Sequence, residues 1–166
     1  MAIPAEIETR SADETRALGA EIGAAAQPGD LLLLAGQFGA GKTTLVQGIA
    51  RGLGVAGPVT SPSFVIANEH HGRTPLYHVD LYRVDEMDAS TLEALAEYFD
   101  SDGICVVEWP DSLPSDLVEH ATRIELSLTG EDSRLLKMWT EVDRLRGAWS
   151  RWQASSAATR SGSGTW

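Results

Sequence analysis

Eight residues, Gly36-Gln37-Phe38-Gly39-Ala40-Gly41-Lys42-Thr43, carry the spacing G-x-x-x-x-G-K-[ST] and are followed directly by Thr44. The chemistry of that spacing is anion binding. Glycines let a loop wrap until several backbone N–H groups and a helix N-terminus point at one spot, where they hold a phosphate without any side chain. Lys42 adds a mobile positive charge there, and the Thr43 hydroxyl suits a magnesium ion bridging terminal phosphates. A glycine-rich turn with an accidental lysine is the plain alternative. The flanks speak against it, because an apolar run, Leu31 to Leu34, precedes the loop and a helix-forming stretch follows. Of thirteen basic residues eleven are arginine, and one of the two lysines, Lys42 and Lys137, sits inside the motif.

A nucleotide hydrolase on this plan needs a carboxylate at the end of a neighbouring buried strand to support the metal and order the attacking water. Ile104-Cys105-Val106-Val107-Glu108 is an apolar run ending in an acid, and Leu76-Tyr77-His78-Val79-Asp80 is a weaker version of it. Glu108 and Asp80 are therefore the candidates, although strands also end in solvated acids that do nothing. Thr60 and Ser61, in Thr60-Ser61-Pro62-Ser63, suit a switch-like loop sensing the terminal phosphate and equally suit an ordinary turn. His70, His71 and His78 lack partners for a zinc site, and the first two read as loop residues. The one cysteine, Cys105, excludes an internal disulfide and reads as a small core residue rather than a nucleophile.

The elements that must position these residues follow from periodicity and breakers. Ala5 to Arg10 reads as a strand, and Ser11-Ala12-Asp13-Glu14 as a capping box opening a helix through about Ala26. Leu31 to Ala35 is the strand feeding the cradle, and Thr43 to Leu53 is its helix. Phe64 to Glu69 and Pro75 to Val79 read as a hairpin around His71-Gly72-Arg73-Thr74. Leu92, Leu95, Ala96 and Phe99 recur at helical spacing. Gly103 to Glu108 is a buried strand, and Thr122 to Leu128 and Leu135 to Val142 are two more joined by Thr129-Gly130-Glu131-Asp132. The order predicts an α/β fold, a P-loop NTPase-like mixed sheet flanked by helices with antiparallel edge strands.

With 166 residues and 43% apolar content, one core domain over residues 1–145 is the economical reading. Residues 146–166 read as a C-terminal extension, low in complexity from about Ala154 and expected to be partly disordered. A net charge of −11 works against direct affinity for nucleic acid or anionic membranes. No leader and no apolar run of membrane-spanning length is visible, so the expectation is a cytoplasmic protein.

The stretches GQFGAGKTTL, TSPSF, YHVDLYR and VVEWP, in this order, resemble the bacterial TsaE family, formerly YjeE, over about residues 5 to 140. The cradle is shared by many families; His78 to Arg83 followed by Val106 to Pro110 is far more specific. The resemblance implies an ATPase of tRNA threonylcarbamoyladenosine formation, acting next to the anticodon with TsaB and TsaD and meeting tRNA only through that complex. It implies ATP as substrate, with Gly36 to Thr44 on the phosphates and Trp109 beside the nucleotide. Mg2+ falls to Thr43 and Glu108, and hydrolysis to Asp80 with Lys42. Ser63 stands where many relatives have threonine and keeps the hydroxyl. The extension with Trp149, Trp152 and Trp166 has no role in the family pattern.

Rival classes are a regulatory GTPase, which lacks its Asn-Lys-x-Asp segment here, a small-molecule phosphotransferase, and a nucleotide-dependent scaffold without turnover. The phosphotransferase wants an acceptor pocket and an arginine-bearing lid, neither legible before Val142. Turnover of the lone chain is expected to be slow. Arg83, three residues beyond Asp80, is expected on the opposite strand face from that carboxylate, facing a partner protein.

Overall fold

Leu31–Ala35 forms β2, the central strand of a seven-stranded mixed sheet. The computed structural model describes residues 3–62 and 67–162. On either side of β2 run two parallel neighbours, β5 (Ile104–Glu108) and β6 (Thr122–Leu128). Beyond β5 lie β4 (Pro75–Asp80), parallel to it, and β3 (Ala67–His71), antiparallel to β4. Beyond β6 lie β7 (Arg134–Trp139) and β1 (Ala5–Thr9), each antiparallel to its inner neighbour. The order β1-β7-β6-β2-β5-β4-β3 is the expected mixed sheet with antiparallel edges.

Alternation along the strands divides the core in two. Leu32, Leu34, Ile104 and Val106 pack with α1 (Ala12–Ala25), α2 (Lys42–Gly52) and α4 (Asp143–Gly162). Leu33, Val79, Cys105 and Val107 pack on the other face with Leu95 of α3 (Ala89–Phe99). Period-two geometry makes this unavoidable once both faces are covered. Burial pushes the Cys105 thiol far above its ordinary range, in keeping with a core residue.

The helix that carries Lys42 and Thr43 is fixed by unusually close packing on α1. Gly19 and Gly23 of α1 face Gly48 and Gly52 of α2; a Cβ at Gly23 would overlap the Ile49 carbonyl, and one at Gly48 that of Arg16. Backbones can approach this closely only where no side chain intervenes. Ser11 caps α1 by accepting from the Glu14 amide at 3.1 Å, and the Glu14 carboxylate accepts from the Arg10 amide at 2.7 Å. At the other end of α1, Arg73 donates to the carbonyls of Gly23, Ala24 and Ala26. Arg144 donates to the Ala25 carbonyl and grips Asp30 through both Nη atoms.

Three expectations need correction. Residues 146–162 form part of a helix, α4, where a partly disordered extension was expected, and α4 begins at Asp143, across the expected boundary. Leu145, Ala148, Trp149 and Trp152 are its buried face, at i, i+3, i+4 and i+7, and Trp149 is 1% exposed. The polar composition of the rest masked that stripe. The second correction is that β7 ends at Trp139: Thr140 Oγ1 accepts from the Val142 amide and bonds Thr122 Oγ1, turning the chain toward α4. Third, His70 and His71 are strand residues of β3, paired with Leu76 and Pro75. Ser63, Phe64 and Trp166 lie outside the described residues.

Candidate functional site

The cradle leaves the C-terminal end of β2 and enters α2 through Gly41, whose φ of 100° only glycine adopts without strain. No acid occupies the first turn of α2 and no side chain caps it. Its N-terminus opens onto a cavity of about 790 Å³ lined by Phe38, Gly39, Gly41, Lys42, Thr43 and Thr44 of the motif. Gly36 butts against β6, where a Cβ would meet the Leu126 carbonyl, and Ala40 is fully buried. Lys42 is only 6% exposed; its Nζ donates to the Gly36 and Gln37 carbonyls, the latter at 2.9 Å. Burial holds its ammonium below the usual lysine range, against the pull of the Glu108 and Asp80 carboxylates.

Those carboxylates arrive by strand register. Asp80 and Glu108 are paired residues at the ends of β4 and β5, and alternation puts Leu76, His78 and Asp80 on the same sheet face as Ile104, Val106 and Glu108. That is the face covered by α2. Thr43 Oγ1 donates to Glu108 Oε1 at 3.1 Å and lies 2.8 Å from Ser61 Oγ, which therefore donates to it. Gln47 of α2 holds this segment by donating to the Val59 carbonyl at 3.1 Å. Asp80 accepts from the Tyr82 amide at 2.9 Å. Burial raises its pKa above the ordinary carboxylate value; the Tyr82 amide opposes the rise and the nearby Glu108 charge adds to it.

His78 is the residue that sequence reasoning missed. It is fully buried, and its Nε2 lies 2.5 Å from Glu108 Oε2, so Nε2 carries the proton and donates. Nδ1 has no partner among the described residues. The signal was available: two positions before Asp80 on a strand means the same face.

Trp109 follows Glu108 with φ 57° and ψ 60°, the one non-glycine with positive φ among the described residues. Holding a bulky residue there costs on the order of 1–3 kcal/mol. The strained backbone sets its ring 4.0 Å from Lys42 Nζ, and the same ring contacts Phe38 and Tyr82 with centroids 5.2 and 5.1 Å apart. Ser61, Asp80, Glu108 and Trp109 thus join the cradle in one cavity. Thr60 does not: it is exposed and lines a separate hollow beside Arg16 and Gln47.

The placement of Arg83 corrects one expectation, that it lies on the opposite strand face from Asp80. β4 ends at Asp80 and the chain turns, with the Val84 amide donating to the Leu81 carbonyl, so strand alternation no longer applies. Arg83 is exposed yet lines the same cavity as Asp80. Arg134, which the sequence reading passed over, lines it from β7. Two arginines therefore flank the site, where the sequence had shown no arginine-bearing lid.

Hydroxyl and carboxylate oxygens from Thr43, Ser61, Asp80 and Glu108 form a hard donor set, which suits Mg2+. Among the described residues no three His, Cys, Asp or Glu side chains gather as a metal-ligand group. A cation here would share its coordination with a bound phosphate, as Mg2+ commonly does.

A mixed sheet with a glycine-rich loop between its central strand and a covering helix defines the class, an α/β protein of the P-loop NTPase-like kind. The family model described as threonylcarbamoyl adenosine biosynthesis protein TsaE matches residues 9–136, and the chain belongs to that family. The Bacillus subtilis tRNA threonylcarbamoyladenosine biosynthesis protein TsaE is 42% identical over 76% of this chain and 79% of its own length. Its Treponema pallidum counterpart is 35% identical over 76% and 93%. A crystal structure of Bacillus subtilis YdiB superposes with a TM-score of 0.76 at 33% identity, covering 94% of this chain and 98% of that one. So little of the chain is left over that the likeness takes in at least part of α4.

Proposed function

We propose that this chain is a cytoplasmic, ATP-hydrolysing component of the machinery that forms threonylcarbamoyladenosine in tRNA, acting with TsaB and TsaD. Family membership and the relatives' names support the pathway. The observation that carries the chemistry is the meeting of Lys42, Thr43, Ser61, Asp80 and Glu108 in one cavity at an uncapped helix N-terminus.

In this reading the cradle amides and Lys42 bind the ATP phosphates, with Trp109 beside the nucleotide. Thr43 and Glu108 hold Mg2+, which when bound neutralises charge on the phosphates. His78 keeps the Glu108 carboxylate turned toward Thr43. Asp80 orients the attacking water and accepts its proton as the bond to the terminal phosphoryl group breaks, leaving ADP and phosphate. Its raised proton affinity suits an acceptor. tRNA contact falls to the partners, since a chain of net charge −11 is poorly suited to it.

Without an arginine committed to the transition state, such sites turn over at ~10⁻⁴ to 10⁻³ s⁻¹, and a supplied arginine adds ~10³- to 10⁵-fold. Arg83, at the cavity wall and open to solvent, stands where a partner can engage it. Phosphate release by the chain alone and with TsaB and TsaD, beside an ATP-dependent tRNA modification assay, is the test. Slow release alone and marked acceleration on assembly are expected, with Arg83→Ala losing much of the acceleration. Asp80→Ala should bind ATP without turnover, and Glu108→Ala should raise the magnesium requirement. ATP binding without phosphate release under any condition would leave a scaffold, and no ATP binding would end the proposal.

A further inference from the structure

Arg134 opens β7, at the far side of the sheet from Asp80, yet its guanidinium reaches the cradle. Nη1 donates to the carbonyls of Ser133 at 2.8 Å, Glu131 at 3.2 Å and Gly130 at 3.4 Å. These bonds wrap the β6–β7 turn around it. Nη2 crosses to the Gly39 carbonyl at 3.0 Å.

The Gly39–Ala40 peptide is open at its Gly39 end, where packing does not hold it. A Cβ at Gly39 would meet nothing within 4 Å, whereas Gly36 is wedged against Leu126 and Ala40 is buried. Hydrogen bonds fix it instead. Its carbonyl accepts from Arg134, and its N–H, on Ala40, donates to the Gln37 carbonyl at 3.1 Å. The Gln37 carbonyl also accepts from Lys42 Nζ at 2.9 Å. A continuous chain of three bonds therefore runs from Arg134 through the Gly39–Ala40 peptide to the motif lysine.

We propose that Arg134 is a positioning residue of the phosphate cradle, pinning the Gly39–Ala40 peptide so that loop and lysine are ordered before a nucleotide arrives. A glycine loop without that pin has to be ordered on binding, which costs affinity rather than the rate of the bound complex. The planar fork is essential, because one ammonium cannot span the three turn carbonyls and Gly39 together. This rests on the nucleotide-binding reading above.

The test uses the full chain with ADP and ATP, in wild type, Arg134→Gln and Arg134→Lys. ADP lacks the terminal phosphate and so reports on the cradle apart from hydrolysis. Dissociation constants for both nucleotides should rise about tenfold in both variants. Single-turnover hydrolysis at saturating ATP should stay within about threefold of wild type, and melting within about 3 °C. Exchange of the Ala40 amide should be faster in both variants. Unchanged ADP affinity with a large loss of the saturated rate would make Arg134 a transition-state group and overturn the proposal. Full recovery by lysine would mean that charge alone matters, and loss of cooperative melting in both variants would make Arg134 a fold residue; either overturns it. If wild type binds neither nucleotide, the nucleotide reading falls and this proposal with it; wild-type binding with unaltered variants removes this proposal alone.

Discussion

Helices α1 and α2 lie against each other on one face of the sheet through facing glycines, yet their ends are finished in opposite ways. α1 has a serine cap and two acids in its first turn, and its C-terminal carbonyls take donors from Arg73 and Arg144. α2 begins at a left-handed glycine with no acid and no cap. A helix N-terminus carries about half a positive charge from its unpaired amides, and α2 adds Lys42 to it, buried. One helix is completed by its own chain; the other is left for an anion. Stability and function should accordingly separate when residues of the two regions are changed.

The largest effect should come from the first region. Trp149 is buried where α4 packs against α1, and Trp149→Ala should cost about 3–5 kcal/mol in denaturant unfolding. ATP affinity of the folded fraction should not change. A selective loss of affinity at unaltered stability would break the division.

Lys42→Ala is the converse. Removing the buried ammonium should weaken ATP binding by at least ~30-fold, from ~2 kcal/mol or more, in a calorimetric titration. Melting should hold or rise, because Lys42 is desolvated in the folded chain and its charge faces only two carbonyls, a ring and nearby acids. A marked drop in melting temperature would make Lys42 structural.

A smaller test sharpens the contrast at the caps. Ser11→Ala removes the acceptor of the Glu14 amide and should cost ~1 kcal/mol of stability with no change in nucleotide affinity.

How much of this was legible follows from the range of each signal. The cradle, the central strands β2 and β5 and the Ser11 cap are local patterns, and they appear where the sequence placed them. Asp80 and Glu108 were legible as strand-end acids, but their pairing is a matter of register between β4 and β5, which no local pattern carries. The bond from His78 to Glu108 follows from that register. Arg134 was invisible for the same reason at longer range: its bond to Gly39 spans 95 residues. Arg83 was misread because the alternation rule was carried past the end of β4 into a turn. In α4 the four-residue apolar stripe was present but was outweighed by the serine-rich composition around it.

The finest test uses pH at Asp80. Burial and the neighbouring Glu108 carboxylate raise its folded pKa above the unfolded value of about 3.9. The folded chain therefore holds this proton more tightly than the unfolded chain does. The stabilisation that protonation gives is fully present below about pH 4 and is lost as pH rises through the raised value, so the ionised carboxylate is a standing cost at neutral pH. Asn has the same shape, keeps an oxygen for the Tyr82 amide and never ionises. Asp80→Asn should thus melt above wild type at pH 7, and the gap should close as pH falls toward about 4. Melting temperatures of the two proteins across pH 4–8 decide it, and a constant or inverted gap would mean that Asp80 is solvated like an ordinary surface acid. With the expected slope, the same carboxylate that weakens the fold at neutral pH is the one proposed to act in hydrolysis, which is the separation between the two regions reduced to a single residue.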